Sequence, residues 1–145
     1  MPAIYADLVM PDATDPFATI SRATDWQMVY IEEAHAKDEW PISSARYARA
    51  PVNICQPRTA HARVNIAREF LSEYNMGGKD SRMDCVVDNP ELDNPFEKAF
   101  APWPLRIFVV EDGVMAWIAE PNNCEYDVSL LRDWLTKWHT AGDAR

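Results

Sequence analysis

Long apolar runs are missing from this sequence. None approaches the ~20 residues that a helix needs to cross a bilayer. Residues 1–17 carry acids and no positive n-region, which excludes a signal peptide. A cytoplasmic protein is expected. Basic residues are scarce: 14 Lys and Arg face 23 Asp and Glu, for a net charge of −9. Phosphate binding needs a concentrated basic face, so nucleic acid is disfavoured as a partner, and so are anionic membrane surfaces. Cysteine is scarce too. Cys55, Cys85 and Cys124 stand far apart with no CxxC pair, and His35, His61 and His139 show no HxH or HxxxH spacing. That argues against a disulfide framework and against a metal centre. No cofactor is expected. The cysteines read either as three reduced structural thiols or as including one that is redox active. No internal repeat and no low-complexity tract occurs.

What is present suits one domain over residues 1–145. Hydrophobic residues make up 48% and charged residues 26%, enough apolar material for a core without staples. The prolines cluster at residues 2–16, 41–57, 90–104 and 121, marking loops and element ends. Trp26–Glu32 is a short apolar run that predicts a buried strand. A long polar stretch follows to Arg58, and its length suggests a functional loop. Thr59 has the character of an N-cap, and Val64, Ile66, Ala67, Phe70 and Leu71 fall at helical spacing before Gly77-Gly78. Met83–Asp88 predicts a second strand, and Asn94-Pro95 opens a short helix through Phe100. Arg106–Glu111 and Val114–Ala119 flank Asp112-Gly113, a strong hairpin signal. A last helix is predicted from Asp127 to His139, with Val128, Leu131, Leu135 and Trp138 on one face. Strands alternating with helices imply parallel pairing. The fold class is therefore α/β and thioredoxin-like: a central mixed sheet, a C-terminal β-hairpin and flanking helices.

Tyr30-Ile31-Glu32-Glu33-Ala34-His35, followed by Asp38 and Trp40, resembles the YIEEAHxxDGW signature of iodothyronine deiodinases and their bacterial relatives, with Glu39 in place of Gly. Gln56-Pro57-Arg58-Thr59 is similar to the QPRT of bacterial members, Cys85–Asp88 to the family's VVD strand, and Leu105–Val110 with Gly113 to its hairpin. The resemblance covers about residues 26–140. It implies a thioredoxin fold in which a selenocysteine or cysteine at a helix N-terminus attacks a halogen on an aromatic ring. The Glu and His beside that nucleophile correspond to Glu33 and His35. A second His and a distal Arg hold the hormone in the animal enzymes. Their places fall at Pro57 and near Pro121, so thyroid hormone is not supported as the substrate. The nucleophile's turn, GSCT(U/C)PPF in the family, has two possible places. In the preferred one, Ile4–Met10 is a central strand and Asp12–Phe17 the turn, with Asp15 beside the nucleophile's position. In the other, Met1-Pro2 matches residues at or just after the nucleophile and the preceding strand is missing. Neither supplies a cysteine.

Glu33, at the carboxyl edge of the sheet, is a candidate acid or base, weighed against a solvated acidic edge. His35 is a candidate proton donor or ring-stacking partner, weighed against a loop histidine with one structural hydrogen bond. Cys55, before a helix, is a candidate stand-in or resolving thiol. Trp40, Trp103 and Pro104 are candidates to line a pocket, and the fold position favours a cis peptide at Pro104. Tyr30 and Arg106, from two of the matched motifs, complete the substrate-binding set. The leading expectation is a deiodinase-like redox protein acting on a small molecule with a thiol reductant, possible as a homodimer. The alternative is a non-catalytic module that binds a small ligand or a partner chain. A third is a thiol oxidoreductase using Cys55.

Overall fold

The computed structural model describes residues 5–41, 53–77, 81–119 and 126–142. The chain divides into two compact units, one built from residues 1–28, 71–84 and 106–145, the other from 29–70 and 85–105.

The first unit begins with a single π-helical turn, Tyr5–Val9, closed by Met10 N–H donating to the Tyr5 carbonyl at 3.1 Å. This corrects the expected strand over residues 4–10. The apolar residues Tyr5, Leu8 and Val9 lie at i, i+3 and i+4, a helical spacing rather than a strand's alternation. Leu8 and Val9 are both buried, and Tyr5 packs on the same core. Helix α1, Ala18–Ala23, follows. Strands β3, Phe108–Glu111, and β4, Val114–Ile118, form the expected antiparallel hairpin. Asp112 and Gly113 take φ of 49° and 77°, as a type I′ turn requires. Helix α4, Val128–Gly142, starts where Asp127 Oδ1 accepts from the Ser129 N–H at 2.9 Å. Leu131 and Leu135 pack with Leu8, Val9, Phe17 and Ile20. Trp138 does not join them: it is 46% exposed, the α4 stripe having turned away from the core by its last turn.

Strands β1, Trp26–Tyr30, and β2, Met83–Val87, pair, and both pass from the first unit into the second. The Asp88 N–H donates to the Tyr30 carbonyl at 2.9 Å, which sets the C-terminal ends of the two strands side by side and makes the pair parallel. Helix α2, Ala60–Glu73, is the crossover between them. Thr59 Oγ1 accepts from the Ala62 N–H at 3.2 Å, confirming the N-cap, and Glu91 Oε2 takes the Ala60 N–H at 2.9 Å. The end of α2 corrects the expected glycine stop. Asn75 is the left-handed residue, with φ 52°. Met76 N–H reaches the Leu71 carbonyl and Asn75 N–H the Ser72 carbonyl, the two bonds of a Schellman motif. Asn tolerates that conformation because its short polar side chain bonds locally. Helix α3, Pro95–Phe100, completes the second unit before a cis Trp103–Pro104 peptide. The described strands form two two-stranded sheets, β1–β2 and β3–β4, in a mixed α/β fold with helices.

Candidate active site

The second unit collects most of the candidate residues. Tyr30 ends β1, and its hydroxyl donates to Glu33 Oε1. The Phe70 ring meets Tyr30 edge-on at 5.8 Å. Burial, then the bond to Glu33, raises the Tyr30 hydroxyl well above the ordinary tyrosine range, so it stays protonated as a donor.

Glu33 is fixed from the backbone side. Its N–H donates to Gln56 Oε1 at 2.9 Å, and Gln56 Nε2 donates back to the Glu33 carbonyl at 3.1 Å. The Gln56 N–H donates to Asp38 Oδ1 at 2.8 Å, which holds that carboxyl below its usual range. Gln56 Nε2 also donates to Glu39 Oε2 at 3.0 Å, and Arg58 pairs with Glu39. Glu39, where the family signature has Gly, thus ties both Gln56 and Arg58 to the loop after β1.

His35 Nδ1 lies 3.3 Å from the Trp40 carbonyl, within reach for donation when the proton is on Nδ1. Its ring sits 5.2 Å from the Trp40 indole, which stacks on Trp103 at 6.0 Å with 20° between planes. Trp40 is 62% exposed, so this is an open aromatic platform and not core packing. The expected cis peptide at Pro104 is present beside Trp103.

Cys55 is exposed and its thiol is free. The first N–H groups of α2 are already taken by Thr59 and Glu91. Cys85 is half-buried, and burial pushes its thiol up, as suits an inert strand residue. Cys124 lies outside the described residues. Arg106 belongs to the first unit, on the stretch leading into β3, and its Nε is buried with no hydrogen-bond partner among the described residues. Asp15, also in the first unit, accepts from Arg132 Nη2 at 2.6 and 2.7 Å and from the Phe17 N–H at 2.8 Å.

Three buried polar residues in this unit were not among the candidate site residues read from the sequence, although Gln56 and Asp88 lie in matched motifs. Gln56 is 6% exposed, Asp88 3% and Arg63 1%. Asp88 caps α3, its two carboxylate oxygens taking the Phe96 and Glu97 N–H groups at 2.9 Å each. Arg63 Nη1 donates to the Asp88 carbonyl and to Asn94 Oδ1, both at 2.8 Å. Its signal was present: Arg63 lies four and seven residues before Ala67 and Phe70, on the inward stripe of α2.

Residues 15–139 match the family model for iodothyronine deiodinase. The thyroxine 5-deiodinase of Sparus aurata is 31% identical over 114 residues, covering 79% of this chain and 38% of that protein. That of Ovis aries is 26% identical over 117 residues, 81% of this chain and 36% of the relative. That of Homo sapiens is 28% identical over 117 residues, 81% and 34%. The chain thus spans between a third and two-fifths of the length of these relatives. No helix among the described residues is long and apolar enough to cross a membrane. The match over residues 15–139, with the parallel β1–β2 pair, the C-terminal hairpin and the Tyr30–His35 segment of the candidate site, places this chain in the iodothyronine deiodinase family, whose fold is thioredoxin-like.

Proposed function

We propose that this chain carries out reductive dehalogenation of a small aromatic compound, with Tyr30 and Glu33 as its proton-handling pair. The observation that carries this reading is the Tyr30 hydroxyl donating to Glu33 Oε1, two residues before a ring-stacking histidine. A phenol held protonated by burial and bonded to a carboxylate can deliver a proton and be reprotonated. The His35–Trp40–Trp103 array offers flat faces for a substrate ring. In overall balance, an aryl halide and two thiols give the arene, halide, a proton and a disulfide. A soft thiolate takes the halogen, and the ring carbon receives a proton from the pair. Cys55 is the exposed free thiol nearest in sequence to Gln56, and a small thiol is the expected reductant.

One observation favours the second reading, a non-catalytic module that binds a small aromatic ligand. Asp15, the residue of the Asp12–Phe17 turn, is committed to a two-pronged ion pair with Arg132. It is no free nucleophile. Both readings are tested together by following iodide or bromide release from halogenated phenols with a thiol present, alongside quenching of tryptophan emission. Halide release that falls in Glu33→Ala and His35→Ala supports the enzyme. Quenching without release, and with both variants silent in the assay, supports the module.

A further inference from the structure

Arg63 is the most deeply buried charged side chain described, at 1% exposure. It leaves the inward stripe of α2 and grips two points of one junction. Nη1 holds the carbonyl of Asp88, just past the end of β2, and the side chain of Asn94, just before α3. Both partners reach onward. The Asp88 N–H holds the Tyr30 carbonyl at the end of β1, and the Asp88 carboxylate caps α3. From Tyr30 the chain continues to Glu33; from α3 it runs to Trp103 and Pro104. Burial pulls the guanidinium below its ordinary value, and the negative charges of Asp88, Glu32, Glu33 and Glu97 act against that pull.

We infer that Arg63 is a positioning residue for the site: through Asp88 and Asn94 it fixes the end of β1 that carries Tyr30 and Glu33 against the segment that carries Trp103 and Pro104. It touches no substrate. Its effect on turnover rests on the dehalogenase reading, whereas its effect on Tyr30 does not.

The sign of one titration separates positioning from simple charge. Tyr30 is faced by Glu33, Arg63 and Cys85. Burial and the Glu33 bond push its hydroxyl up, while the Arg63 charge alone pulls it down. Deleting the charge without movement therefore raises the Tyr30 titration. Loosening the junction frees the hydroxyl and lowers it toward the ~10 of an ordinary tyrosine.

The experiment follows the Tyr30 resonance by carbon NMR of tyrosine-labelled protein, assigned with Tyr30→Phe, in Arg63→Met, Arg63→Lys and Asn94→Gly. Gly accepts the left-handed backbone that Asn94 holds at φ 48°, so that variant removes only the side-chain acceptor. The expected result is a Tyr30 resonance that stays untitrated in the unaltered chain up to its alkaline unfolding and titrates below that pH in Arg63→Met, with smaller changes the same way in the other two. In the halide-release assay, kcat should fall by about 100-fold in Arg63→Met with KM little changed, and Arg63→Lys should restore part of it. A Tyr30 resonance that stays untitrated in all three variants, as in the unaltered chain, overturns the inference. If Arg63→Met does not fold, the sign in Arg63→Lys and Asn94→Gly decides. If the unaltered chain releases no halide but the titrations fall, positioning stands and the dehalogenase reading fails. Halide release that these variants share with the unaltered chain, with no shift in Tyr30, rejects positioning alone.

Discussion

Glu33 and Gln56 hold each other at both ends, the Glu33 N–H on the Gln56 side-chain oxygen and the Gln56 side-chain nitrogen on the Glu33 carbonyl. A side-chain amide here does what a neighbouring strand would do. It satisfies the backbone just beyond the end of β1, where the ladder has stopped and a carboxylate must still be aimed. The same glutamine reaches Asp38 and Glu39, so one nearly buried residue organises the loop that bears the candidate acid.

Replacing it should therefore cost more than a surface change. Gln56→Leu keeps the volume but leaves the Glu33 N–H and carbonyl without partners. A loss of about 1–3 kcal/mol is expected, the cost of stranding polar groups that are out of water. Denaturant unfolding reads it directly. A midpoint equal to that of the unaltered chain would show that the clamp is incidental.

Asp88 gives a second test in the same unit. Its carboxylate takes the first N–H groups of α3. Asp88→Ala should destabilise by about 1–2 kcal/mol, as loss of a cap does. It should also weaken the near-ultraviolet signal of the Trp40–Trp103 stack, because α3 leads into Trp103. An unchanged tryptophan signal would separate the cap from the platform.

The Asp15–Arg132 pair makes a pH prediction. Arg132 first, then the Phe17 N–H, holds the Asp15 carboxyl below its ordinary value. A carboxyl lowered in the folded state adds stability that is complete above its unfolded value of ~3.9. That stability is lost as pH falls through the lower folded value. Asp15→Asn should therefore flatten the fall of the thermal midpoint below about pH 4, while leaving its shape near neutral pH unaltered. An identical acid profile would show that the pair contributes nothing.

The core of the first unit predicts a larger effect. Leu131 is 1% exposed and packs with Leu8, Val9, Phe17 and Ile20. Leu131→Ala should cost about 2–5 kcal/mol in a denaturant titration. The neighbouring Leu130 is 57% exposed, and Leu130→Ala should change the midpoint little. Equal effects at the two positions would mean the helix face is assigned wrongly.

Much of this was legible in the residues because it is local. The Asp112-Gly113 turn needs two positive φ values, and only such a pair supplies them cheaply. The stripe on α2 and the Thr59 cap obey spacing rules that need no partner to be known, whereas β1, expected as a buried strand to Glu32, ends at Tyr30 and is only half-buried. The Tyr30–His35 motif carried the family for the same reason. What escaped depends on distance in sequence. Arg63 and Asp88 meet across 25 residues, and Gln56 reaches Glu33 across 23. Nothing near Arg63 says that an arginine on an inward stripe will find a carbonyl and an amide waiting. Residues 5–9 misled for a different reason. An apolar run bounded by proline suits a strand or a helical turn, and burial of both Leu8 and Val9 selects the turn. The glycine stop after α2 failed because Asn75 takes the left-handed position first.

The central claim is that Tyr30 and Glu33 handle the proton in a thiol-driven dehalogenation, and one assay meets it most directly. Halide released from a halogenated phenol is measured with excess thiol for the unaltered chain, Tyr30→Phe and Glu33→Gln. The expected result is release by the unaltered chain and a loss of about 100-fold or more in each variant, the usual worth of a positioned acid or base. Release at equal rates in all three, or in none of them, would contradict it.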